Sequence, residues 1–164
     1  MINFLLKKSK LNFIIFSISL SIIFTFSLSA FFQTFSNKPI HSEIVRNYSV
    51  IRYFISSIII APIIETLIFQ VFIIELINKV FGNKWLIRSI LISGLIFGLL
   101  HYFNTYNLAY TLYTIFMGLF FAFIYVIAKV RKDTIPFQIT LICHFLVNLI
   151  AFLPKIFPTL SKFL

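Results

Sequence analysis

Charge is scarce in this chain: 11% of its 164 residues are Asp, Glu, Lys or Arg, and only 4 are acidic. With 60% hydrophobic residues and a mean hydropathy of +1.04, a soluble domain of this length has no interior large enough to hide the apolar surface. A soluble fold is therefore excluded. Cysteine is nearly absent too, and the single Cys143 lies in an apolar run, so there is no disulfide framework. No ten-residue blocks alternate with period two, which argues against a transmembrane barrel. Internal repeats, linkers and a second domain are also missing.

What the chain does have is long apolar runs, several reaching the roughly 20 residues that carry a helix across about 30 Å of hydrocarbon. The fold class is all-α: a polytopic transmembrane helix bundle of about five spans, with a partial helix before Pro62. The net charge of +10 would suggest nucleic acid in a soluble protein. Here the basic residues cluster between apolar runs, where they meet lipid headgroups and set topology. The bilayer is the implied partner and nucleic acid is not.

The chain divides into residues 1–49 (basic head, first span and loop), 50–153 (the helix bundle that carries the candidate site) and 154–164 (a short tail). Lys7, Lys8 and Lys10 precede apolar residues 11–35. Ser27-Leu28-Ser29-Ala30 resembles a signal-peptide cleavage site. The stretch is longer than a signal h-region of roughly 7–15 residues, so an uncleaved first span is expected. The polar loop 37–48 contains His41, expected to be solvated. Residues 50–80 are too long for one upright helix. Pro62 offers a break, so 50–60 is expected as a partial or tilted helix and 62–80 as the second span, with Glu65 near a helix start. Gly82-Asn83-Lys84 ends it. Spans over 85–103, 108–128 and 134–153 follow, the last closed by Pro154 and Pro158. Trp85, Tyr102 and Tyr106 suit the two interfaces, and the tyrosines between 102 and 113 are expected as an aromatic belt. Counting Lys and Arg on the two sides favours a cytoplasmic N-terminus.

Glu65 stands in an otherwise apolar run, and a carboxylate at membrane depth is costly enough that it pairs or carries function. His101, His144 and Asn148 each lie in another apolar run. At roughly 1.5 Å per residue, Glu65, His101, His144 and Asn148 sit about 22, 24, 15 and 21 Å from the inner ends of their spans, in one layer. His144 and Asn148 are four apart and share a helix face, as do Phe97 and His101. Gly94 and Gly98 fall on the face that bears His101, so close packing of that span against a neighbour is expected. Taken singly, an intramembrane His or Asn is often interhelical glue. Glu75 is better placed for interfacial pairing with Lys79 at i+4 than for catalysis. Cys143 and His144 diverge by about 100° on a helix, so they do not form a dyad. The same Glu65, His101 and His144 would supply the two-His, one-carboxylate set of a zinc site. There is no HExxH helix, however, the ligands come from three spans and Asn148 is a poor zinc ligand, which favours chemistry that requires no cofactor.

With APxxE around Glu65, FGLLH (Phe97 to His101) and HFLVN (His144 to Asn148) in that order on separate spans, the chain resembles the CPBP (Abi) family. That group includes type II CAAX prenyl proteases and bacterial relatives linked to bacteriocin processing and immunity, and its motifs are EExxxR, FxxxH and HxxxN. The likeness spans roughly residues 55–153. Thr66 and Gln70 stand where the family has its second Glu and its Arg, so a matched pair of charges is lost together. The resemblance implies an intramembrane endopeptidase in a bacterial plasma membrane, cleaving a peptide or membrane-protein substrate. It implies that Glu65 and His101 hold and deprotonate a water while His144 and Asn148 donate to the oxyanion. Two other classes remain: a catalytically weak relative acting as immunity or scaffold protein, which the Thr66/Gln70 change encourages, and a small proton-coupled transporter using the buried Glu and His.

Overall fold

A computed structural model describes residues 2–35 and 49–156. The loop containing His41 and the tail containing Pro158 lie outside the described residues. A short helix α1 (Ile2–Lys7) leads into α2 (Lys10–Gln33). Then come α3 (Val50–Phe81), α4 (Leu86–Thr105), α5 (Leu108–Arg131) and α6 (Pro136–Ile156). There are no strands among the described residues, and five helices are long and apolar enough to cross a membrane. The protein is a multi-pass helical membrane protein.

α5 forms the centre: 72% of its apolar window is buried, against 28–33% in the other four. The surrounding helices present Ile, Leu and Phe outward and small polar residues inward, the reverse of a soluble bundle. On α2, Ser17, Ser21, Thr25 and Ser29 are buried at four-residue spacing while Ile15, Ile23 and Phe26 are exposed. The hydroxyls of Ser17, Ser21 and Thr25 donate to the carbonyls four residues back at 2.7–2.8 Å, so no donor is left bare in hydrocarbon. This span is packed as a wall of the bundle. At the basic end, Arg131 donates to the Leu5 and Lys8 carbonyls and ties α1 to the tip of α5. Asp133 holds the same guanidinium at 2.6 Å, which keeps its carboxyl below the usual carboxylate range.

α3 departs most from expectation. Pro62 does not break it. The chain stays helical from Val50 to Phe81, with π-helical turns at Ile55–Ile60 and Thr66–Ile73, so Glu65 lies mid-helix and not at a helix start. The wider turn before Pro62 relieves the clash its ring would make in a regular helix. Ala61 donates to the Ser56 carbonyl, and Pro62, next in line, has no N–H for Ser57. Gly82, at φ 79°, ends α3 in a conformation that other residues adopt at a cost. Glu75 does not pair with Lys79. Its carboxylate takes the Lys129 ammonium at 2.6 Å and the Tyr125 hydroxyl at 2.8 Å, because the neighbouring α5 reaches it with better geometry than its own next turn. α6 runs two residues past Pro154.

The glycines act as expected. A methyl on Gly94 would come within 2.6 Å of the Leu119 backbone nitrogen, and one on Gly98 would strike the Ile115 backbone. α4 and α5 thus meet backbone to backbone, which seats Phe97 and His101 beside the centre of the bundle.

Candidate functional site

Glu65, His101, His144 and Asn148 line one cavity of about 280 Å³ at the end of the bundle opposite Lys129. Glu65 lies between the two imidazoles, Oε1 at 3.9 Å from His101 Nε2 and Oε2 at 3.4 Å from His144 Nε2. Asn148 is held from α3 by a different group. Its amide donates to the Ser57 carbonyl at 2.9 Å. That carbonyl is the one Pro62 deprives of a helical donor, so the proline of APxxE creates the acceptor that orients Asn148. An amide has two N–H groups, and the second is left for the cavity.

Each histidine is also held from behind. His101 Nδ1 lies 2.7 Å from the Phe97 carbonyl. A carbonyl only accepts, so Nδ1 carries the hydrogen and Nε2 turns a lone pair toward Glu65. His144 is buried, stacks on Phe121 with ring centroids 4.4 Å apart, and meets the Thr66 hydroxyl through Nδ1 at 3.3 Å. The Thr66–His144 contact is one that sequence reasoning missed: it treated Thr66 only as half of a lost ion pair. Gln70, the other half, is fully buried, and neither end of its amide has a hydrogen-bond partner among the described residues.

Tyr53, Tyr110 and Tyr113 line the cavity together with Asn104, Thr105 and Asn107. The tyrosine belt therefore divides. Tyr102 and Tyr106 are exposed, as an interface requires, whereas Tyr110 and Tyr113 turn inward. Their i, i+3 spacing on α5 was the available signal, because it places both on one face. Cys143 is buried, facing Ser21 of α2 and not Glu65.

Glu65, His101 and His144 do not form a closed metal-binding cluster among the described residues. The two carboxylate oxygens are divided between the imidazoles, one facing each. A metal on His144 Nε2 would require Nδ1–H to donate to Thr66, whose own hydroxyl hydrogen has no second acceptor among the described residues.

Fold and site together define a class: a multi-pass helical membrane protein with one carboxylate and two imidazoles meeting inside the bundle. The family described as type II CAAX prenyl endopeptidase Rce1-like matches residues 47–150, well over half of the chain. The chain belongs to that family. No curated protein and no solved structure matches it. α2 and the segment before it lie outside the matched range.

Proposed function

We propose that the protein is an intramembrane endopeptidase of the kind its family's description names, hydrolysing a peptide bond with a glutamate-activated water and needing no metal. The observation that carries this is the placement of Glu65 between an imidazole that accepts and one that can donate, inside a polar-lined cavity. A water between Glu65 and His101 gives one proton to the carboxylate and directs its second hydrogen to His101 Nε2. Its oxygen attacks the carbonyl carbon. The oxyanion takes hydrogen bonds from His144 Nε2–H and the free Asn148 N–H, as preorganised donors do in acyl transfer. On collapse the C–N bond breaks, and Glu65 returns its proton to the leaving amine.

The substrate on this reading is an extended segment of a peptide or membrane protein. The setting is a bacterial plasma membrane with the N-terminus in the cytoplasm. The departure at Thr66 and Gln70 favours a second reading, in which the protein binds without cleaving, as an immunity or scaffold protein.

The test is cleavage in proteoliposomes against a library of membrane peptides. Glu65→Gln should lower the rate by about 10²–10⁴ fold while leaving insertion and helix content unchanged, and His101→Ala and His144→Ala should abolish it. Elemental analysis of the active protein should find no stoichiometric zinc. A cellular phenotype that survives all three substitutions would instead establish the binding role.

A further inference from the structure

We infer that Thr66 is a positioning residue that fixes the tautomer of His144, holding the two histidines beside Glu65 in opposite protonation patterns. A neutral imidazole has one donor and one acceptor, and the partner at one nitrogen determines what the other does. His101 is settled by the Phe97 carbonyl: Nδ1 donates, and Nε2 is bare toward Glu65. His144 presents Nε2 to the other oxygen of the same carboxylate at 3.4 Å. A carboxylate only accepts, so the pattern that suits this contact has the hydrogen on Nε2. Nδ1 is then a lone pair in a buried place and requires a donor.

Thr66 provides one. Its hydroxyl lies 3.3 Å from Nδ1, both side chains are buried, and it has no other hydrogen-bond partner among the described residues. With the hydroxyl donating to Nδ1, the Nε2 hydrogen is turned toward Glu65 at 3.4 Å. The reverse pattern leaves the threonine hydrogen without an acceptor among the described residues. Threonine at this position has a consequence for chemistry, because a hydroxyl donating to Nδ1 leaves His144 the Nε2 hydrogen that an oxyanion donor must hold. The value of that hydrogen to catalysis rests on the proposed hydrolase reading, whereas the tautomer is a property of the resting protein.

The test is long-range proton–nitrogen correlation NMR on the full chain in nanodiscs with ¹⁵N-labelled histidine. The sequence has 3 histidines. His41→Gln removes one and leaves the two of interest to be told apart by their opposite patterns. The unmodified protein should show His144 protonated at Nε2 and His101 at Nδ1. Thr66→Val keeps shape and removes the hydroxyl, and should mix or invert the His144 pattern while leaving His101 unchanged. Thr66→Ser should restore it. With a cleavable substrate, Thr66→Val should lower kcat about 10- to 100-fold with little change in KM, and Thr66→Ser should recover most of the loss. An unchanged His144 pattern in folded Thr66→Val overturns the inference. Absence of cleavage by the unmodified chain, with the nitrogen pattern shifting as described, counts against the hydrolase reading alone.

Discussion

The two residues that depart from EExxxR meet different fates. Thr66 gains a buried partner in His144, whereas Gln70, one turn on, buries an amide with no hydrogen bond among the described residues. An unsatisfied buried polar group costs about 1–3 kcal/mol. The neutral pair thus avoids a stranded charge but still strands an amide. Gln70→Met, similar in volume and without polar ends, should keep or raise the thermal midpoint in detergent and leave the Glu65 cavity intact. A clear fall in that midpoint would show that the amide is satisfied by an internal water.

At the scale of the element, α3 carries most of what is unusual. Its buried stripe of Ile58, Pro62, Thr66, Gln70 and Ile74 recurs every four residues, a spacing that would drift around a regular helix. The wider π turns on either side of Glu65 keep that stripe facing the bundle. They also free carbonyls for neighbours: Ser57 accepts from Asn148 and Phe69 from Ser93, the latter at 2.8 Å. Pro62→Ala should show which of these gains is structural. A new N–H gives the Ser57 carbonyl a helical partner, so the thermal midpoint should hold or rise, while Asn148 loses its anchor and cleavage should fall about tenfold. Activity and stability moving in opposite directions is the expected signature of strain kept at a functional site.

For the whole molecule, the polarity of the bundle is the property most open to experiment. Glu75 and Lys129 join α3 to α5 at one end, and the Glu65 cavity opens near the other. On the proposed orientation, with the N-terminus cytoplasmic, the cavity would lie in the outer half of the bilayer. The only native thiol, Cys143, is buried, which leaves a clean background for labelling. Tyr106 is 75% exposed, and Tyr106→Cys should react with a membrane-impermeant maleimide added to intact cells, whereas Lys84→Cys should react only after permeabilisation. The reverse pattern would turn the bundle over and move the site to the inner half.

Much of this protein was legible in the chain because its signals are one-dimensional. Apolar runs of sufficient length define spans, basic clusters define ends, and a lone carboxylate in a greasy run must find partners. Gly94 and Gly98 announced a close helix contact for the same reason: only a missing side chain lets two backbones approach. The order of Glu65, FGLLH and HFLVN was enough to name the family.

Other features depended on which atoms meet across helices. Pro62 read as a break because a proline lacks a donor, yet the fold keeps the helix and passes the orphaned carbonyl to Asn148. Glu75 read as the partner of Lys79 because only its own helix was visible, and α5 brought Lys129 closer. Tyr110 and Tyr113 read as belt residues because their facing is set by the central place of α5. Thr66 read as half of a vanished ion pair. Sequence determined which polar groups this membrane protein buries, and the tertiary structure alone determined their partners, because hydrogen bonds between spans are set by helix rotation and register.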